Sequence, residues 1–197
     1  LEPQEPVVRY ERENPGELIH VDTKRLGRFD RVGHRITRSR STGSSKQGFE
    51  FVHVAIDDAS RLAYAEILTD ESGASAATFL RAAVAWFAKS DVHVERVMTD
   101  NGSGYVSNAF RNACTALGLR HKRIRPYRPK TNGKVERLIQ TLLREWAYRF
   151  AYSASAERRR WLTPYLHFYN VHRAHSALNY NPPISRLERN NVLTRNS

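Results

Sequence analysis

Between residues 49 and 100 the apolar residues change period twice, and few folds accommodate that order. FEFVHVAI (residues 49–56) is rich in β-branched and aromatic side chains and predicts a strand. DDASR then turns the chain, and LAYAEIL (62–68) pairs back as the second arm of a meander. Residues 71–89 switch to helical spacing, with Phe79, Leu80, Ala83, Val84 and Phe87 on one face. VHVERVMT (92–99) returns to strand character and delivers Asp100. Strand, helix, strand implies a right-handed parallel crossover. ELIHVD (17–22) predicts a first strand ending in Asp22, and LRHKRI (119–124) a polar edge strand. The fold class is therefore α/β, a five-stranded mixed sheet flanked by helices.

Further helices are expected on either side of a basic loop. Ser107 is a good N-cap for residues 108–117, with Gly118 just past the end and Cys114 on the core face. RPYRPKTNG (125–133) has two prolines and leads into a helix over 133–150, whose Val135, Leu138, Ile139, Leu142, Leu143 and Trp146 form one apolar stripe. Glu136 lies about 100° from Val135, at the stripe's edge, and can face a cleft. A last helix, 156–171, contains Pro164, which kinks or restarts it. We divide the chain into an arriving linker (1–16), a core (17–150, with a basic loop or hairpin over 24–48) and a C-terminal helix and tail packing on that core (151–197).

Charge narrows the partner. Thirty-two Lys and Arg against 20 Asp and Glu leave +12, which points to a polyanion. Residues 24–46 carry eight basic side chains against Asp30, and residues 120–137 eight against Glu136, so each segment is net +7. The remainder, 16 basic against 18 acidic, is net −2, so two surfaces hold all the excess. Lys24, Arg25, Arg128, Lys130, Lys134 and Arg137 are candidate phosphate contacts. Tyr127 either stacks on a base or anchors its loop. The single Cys114 excludes an intramolecular disulfide or a Cys-pair zinc site and fits a reducing, cytoplasmic setting. No stretch approaches 18 apolar residues, so no membrane span is expected. The only methionine is Met98, consistent with a fragment or processed form.

Asp22, Asp100 and Glu136 each sit at a structural junction, with 35 residues between Asp100 and Glu136 (136 − 100 − 1). One such acid alone is normally a cap or a surface group. If the first and fourth strands are neighbours and the 133–150 helix packs beside them, the three converge. Three carboxylates in one place repel and resist ionising together, and an oxygen-liganding Mg²⁺ or Mn²⁺ relieves this. Two such ions, typically about 3.5–4 Å apart, suit in-line phosphoryl displacement. Asp57 is a further candidate for that role, whereas Asp58 reads as a structural turn residue.

The elements HVDTK, VAIDDASRLAYAEI, MTDNGSGY, PYRPKTNGKVERL and YNVHRAHSALNYNPP closely resemble the integrase-type catalytic core of bacterial insertion-sequence transposases, over residues 16–190. The resemblance implies an RNase H-like fold, Mg²⁺-dependent DNA strand cleavage, and strand transfer in which a 3′-OH attacks target DNA. It implies that Asp22, Asp100 and Glu136 bind metal, two ions when DNA is bound, and that Asn132, Gly133 and Lys134 form a DNA-proximal loop. Its partners are transposon ends and target DNA, in a homo-oligomeric complex in a bacterial cell. Leu143 stands where many relatives carry a basic residue, with Arg144 one later, and the upstream helix-turn-helix region is not in this chain. His172, Arg173 and His175 match a recurrent tail and are expected to pack the last helix. The competing readings are a catalytically silent DNA-binding module and a host RNase H-like nuclease that only hydrolyses.

Overall fold

A computed structural model describes residues 11–32, 48–124 and 132–187 of the 197. Five strands form one sheet: β1 (Ile19–Gly27), β2 (Phe49–Asp57), β3 (Ala63–Leu68), β4 (Arg96–Thr99) and β5 (Arg120–Arg123). Their order is β3-β2-β1-β4-β5. The β1–β2 and β2–β3 pairs are antiparallel, whereas β1–β4 and β4–β5 are parallel. The expected mixed sheet and polar edge strand are both present.

Alternation along β1 assigns its faces. Ile19 and Val21 join the core under the helices α1 (Gly73–Ala88) and α3 (Asn108–Ala116). Leu26 joins the core on the opposite face, with Val52, Val54 and Ile56 of β2 and Val135, Leu138 and Leu142 of α4 (Gly133–Leu142). A period of two therefore turns His20 and Asp22 toward the α4 side.

Several boundaries differ from expectation for physical reasons. The first strand does not end at Asp22 but continues to Gly27, so Lys24 and Arg25 are strand residues rather than part of a loop. Beyond His20 it pairs only with β2, which leaves Lys24 and Arg25 exposed and their stretch polar. A short α2 (Ser103–Val106) follows Asp100. The α4 helix passes into a π-helical turn over Leu143–Ala147, which keeps Trp146 in the core. Residues 156–171 split at Trp161 into α5 (Ser155–Arg160) and α6 (Leu162–Val171). Pro164 falls in the first turn of α6, where its missing N–H costs nothing, so it restarts the helix. Asn170 of α6 bonds both backbone groups of Ala63, at 2.8 Å each, and so docks α6 on β3.

Gly16 shows how tightly the chain enters the sheet. It has φ +89°, and a Cβ there would lie 2.2 Å from the His93 carbonyl oxygen. Gly16→Ala is expected to destabilise by about 2 kcal/mol or more. Chemical denaturation reads this directly, and an unchanged midpoint would contradict it.

Candidate active site

Three elements deliver the three acids. The β1–β4 register pairs Ile19 with Val97 and His20 with Met98. Carried two residues further, it sets Asp22 level with Asp100, just past the end of β4. Glu136 lies in the first turn of α4, on the face toward which Asp22 points. Asp22 is half-buried, and Asp100 and Glu136 are exposed.

Electrostatics shows that they form a group. The Asp22 carboxyl is pushed up to about 6, first by burial and then by the negative charges of Asp100 and Glu136. The Thr23 N–H, which donates to Asp22 Oδ1 at 2.7 Å, and the Lys24 charge oppose this rise. The Gly102 N–H donates to Asp100 Oδ1 at 2.8 Å. Among the described residues the remaining oxygens of Asp22 and Asp100, and both of Glu136, accept no hydrogen bond. Also among them, no three carboxylate, imidazole or thiolate groups already surround one cation-sized point. The acids are close enough to repel without yet converging. This all-carboxylate donor set, with oxygens to spare, fits a hard divalent cation such as Mg²⁺ or Mn²⁺.

The raised Asp22 carboxyl carries a stability consequence. In the unfolded chain it ionises near 3.8, in the folded one at about 6, so metal-free stability is lost as pH rises across that window. The cost above pH 6 is up to about 3 kcal/mol. Asp22→Asn is expected to raise the metal-free Tm at pH 7.5 by roughly 5–10 °C and to leave it unchanged below pH 4. Differential scanning calorimetry across pH checks this, and a destabilised variant at pH 7.5 would exclude the raised carboxyl.

A second layer of polar groups joins these elements. Thr23 Oγ1 bonds Tyr105 OH (2.9 Å) and His53 Nδ1 (3.1 Å), and His53 Nε2–H donates to the Asp70 carbonyl (2.9 Å). Tyr105, on α2, thereby ties the segment after Asp100 to the residue beside Asp22. Thr99 Oγ1 donates to the Asp100 carbonyl at 2.9 Å.

Asp57, a candidate for catalysis on sequence grounds, stands apart. It faces Ile19 in register, and Asp22 faces Val54. It is fully buried and accepts from the Gly16 N–H (2.8 Å), the Ser60 N–H (2.7 Å) and the Ser60 hydroxyl (2.7 Å). Burial raises its carboxyl, and its role is to close the turn.

The candidate DNA contacts divide. Lys24, Arg25 and Arg137 are exposed, and the Arg25 guanidinium lies 4.4 Å from the centre of the Phe49 ring. Asn132 is 3% exposed, and Lys134 is engaged with Asp58 at 2.6 Å. Neither is a free surface group. Tyr127, Arg128 and Lys130 lie outside the described residues. Leu143 packs against the core while Arg144 is exposed.

Of the tail residues, Arg173 and His175 contact neighbouring side chains, whereas His172 is exposed. Arg173 clasps Glu145 with two bonds, 2.7 and 2.8 Å. His175 meets Tyr169 edge-on at 4.7 Å, and burial lowers its imidazole to about 4. Cys114 is core, its thiol pushed up to about 11 by burial.

His20, Thr23, Asp58 and Tyr105 were not foreseen as site-shaping residues. The available signal was His20's position two before Asp22, on the same strand face.

The family model described as integrase core domain matches residues 13–129, and a second of the same description matches residues 117–183. A putative integrase of Spiroplasma virus SpV1-C74 is 25% identical over 150 residues, covering 70% of this chain and 41% of the viral protein. The chain thus spans less than half of that relative's length. A chain of the simian T-cell lymphotropic virus intasome superposes with a TM-score of 0.68 at 22% identity, covering 94% of this chain and 60% of that one. The HTLV-2 integrase catalytic core solved with magnesium gives 0.60 at 16% identity, covering 86% and 94%. The fold is that of these integrase cores, RNase H-like.

Proposed function

The chain belongs to the integrase core domain family, and from that premise we propose that it is the catalytic core of a DNA transposase of the bacterial insertion-sequence type. Its reaction is metal-dependent cleavage of DNA strands followed by transfer of a 3′-OH end into target DNA. The observation that carries the reading is the grouping of Asp22 with Asp100 and Glu136: burial first, and then their two negative charges, push the Asp22 carboxyl up to about 6. Family membership and the two basic segments support it. The insertion-sequence assignment rests on the five quoted sequence elements.

Asp22, Asp100 and Glu136 are the residues that would hold Mg²⁺ or Mn²⁺, two ions once DNA is bound. When bound, the metal neutralises phosphate charge, activates the attacking oxygen and stabilises the leaving one. Asp22 supplies the strand-borne ligand, oriented by the Thr23 N–H. Asp100 is oriented by the Gly102 N–H. Glu136 comes from a separate element, so its approach depends on how α4 starts. Exposed Lys24, Arg25 and Arg137 bind phosphates, and we assign Tyr127, Arg128 and Lys130 to the same track. We assign residues 17–150 to the catalytic core, 1–16 to an arriving linker and 151–197 to a C-terminal extension, whose Asn170 docks on β3. Joining two element ends needs two active sites, which implies a homo-oligomer on DNA. No helix among the described residues is long and apolar enough to cross a membrane, and we place the protein in the bacterial cytoplasm.

The test incubates the chain with Mn²⁺, supercoiled plasmid and a labelled duplex bearing a free 3′-OH end. Metal-dependent joining supports the transposase, cleavage without joining the hydrolytic nuclease, and binding without cleavage the silent module. Binding should also weaken steeply with salt. Neutralising four phosphates predicts about a 100-fold loss between 50 and 200 mM salt. Fluorescence anisotropy reads this, and a flat response would remove the basic track.

A further inference from the structure

We propose that Asp58 is a positioning residue that fixes the start of α4, and through it Glu136, against β1. This rests on the reading of Glu136 as a metal ligand.

Asp58 is buried, 1% exposed, and its polar atoms are fully employed. Its Oδ1 accepts from His20 Nε2–H at 2.7 Å and from the Lys134 ammonium at 2.6 Å. Its Oδ2 accepts from the Arg12 N–H at 2.6 Å. Its carbonyl accepts again from Lys134, at 3.1 Å, and its own N–H donates to the Leu18 carbonyl at 2.9 Å. Burial alone would raise this carboxyl, but His20, Lys134 and Arg12 together hold it well below the usual carboxylate range. The group is an anion by construction.

The arrangement reaches both sides of the site. His20 shares a strand face with Asp22, two residues away, and its other ring nitrogen meets Asn132 Oδ1 at 3.1 Å. Asn132 immediately precedes α4, and Lys134 lies two residues before Glu136. The first turn of α4 is therefore held at two points, one to Asp58 and one to the strand that bears Asp22. Backbone hydrogen bonding makes a helix rigid over one turn, so fixing residues 132 and 134 fixes residue 136. Glu136 itself accepts no hydrogen bond among the described residues, so its carboxylate is placed by its backbone. Apolar packing of Val135 and Leu138 holds the opposite side of the turn but does not set its register. Bonds of fixed length and direction do.

The same bonds redefine Lys134. Its ammonium is committed to Asp58 rather than offered to phosphate. The sequence-based assignment of Lys134 as a DNA contact, and of Asn132 beside it, is replaced by a positioning role.

Lys134→Met tests this, with Lys134→Arg as the conservative variant and Asp58→Asn at the other end of the pair. The first readout needs no metal. Hydrogen exchange of the Arg137, Leu138 and Ile139 amides, which close on the first turn of α4, is expected to rise at least tenfold in Lys134→Met with β1 and β4 unchanged. The second readout is the Mn²⁺ concentration for half-maximal cleavage, expected to rise about 10- to 100-fold. DNA affinity in metal-free buffer should stay within twofold, and Lys134→Arg should recover most of both effects. Asp58→Asn should reproduce the Lys134→Met pattern. Exchange that rises uniformly over the whole chain would reduce the network to general stability and overturn the inference. So would a loss of DNA affinity with wild-type exchange and Mn²⁺ requirement, which would return Lys134 to the DNA surface. Should the wild type need no metal, the reading of the acids fails, while the exchange measurement still decides whether Asp58 fixes the helix.

Discussion

Asp100→Asn is expected to lower Mn²⁺-dependent cleavage and joining by about 10³-fold or more, with a melting temperature equal to or above that of the wild type. The two halves of the expectation have one cause. Asn keeps the shape of Asp and an oxygen that still accepts the Gly102 N–H at Oδ1, so the segment after β4 retains its turn. What disappears is one negative charge facing Asp22, which relieves the part of that carboxyl's rise that adds to the effect of burial. The same charge would neutralise a divalent cation, and a barrier increase of about 4 kcal/mol corresponds to the stated loss of rate. A misfolded variant would lose activity and stability together, so single-turnover assays paired with calorimetry separate the cases. Wild-type turnover in Asp100→Asn would remove the acid from the chemistry.

The three acids were legible because each lies where an apolar pattern changes. Asp100 closes VHVERVMT, and Glu136 begins an amphipathic helix. Asp22 was legible as a residue but not in its setting. Its strand runs five residues further, through Lys24 and Arg25, because a strand paired on one side can carry charges into solvent. The direction of β4 followed from the crossover and α4 from its stripe, but the sheet order did not, because β4 is inserted beside β1 rather than beside β3. The π turn over Leu143–Ala147 was invisible because the apolar spacing that predicts a helix continues unbroken to Trp146. The engagement of Lys134 with Asp58 was hidden for a related reason. Local sequence shows a cation in a basic segment, whereas its partner Asp58 lies 76 positions away and only the folded turn brings them together. Charge counts locate a basic region, but burial decides which cations in it are free.

Glu50→Ala is expected to destabilise the fold by about 3–5 kcal/mol, lowering Tm by roughly 6–20 °C. Glu50 and Arg158 are 3% and 1% exposed and pair at 2.8 Å. Arg158 also donates to the Gly27 carbonyl at 2.9 Å, and its guanidinium lies 5.0 Å from the centre of the Phe29 ring. Removing Glu50 strands a permanently charged guanidinium in the interior. Arg159 also contacts Glu50, at 3.0 Å, but it is half exposed and its loss costs little. Most of the penalty comes from the orphaned Arg158, so Glu50→Leu combined with Arg158→Met should recover much of the lost stability. Denaturant titration of the single and double variants reads the coupling. The pair joins the opening of β2 to α5, and Ser155 of α5 exchanges two 2.8 Å bonds with Phe29, at the root of the first basic segment. Loosening it should therefore weaken DNA binding below the melting transition, through Lys24 and Arg25, while leaving the Mn²⁺ requirement of the acids unchanged. A shift in that requirement would mean that α5 supports the acids as well as the basic strand.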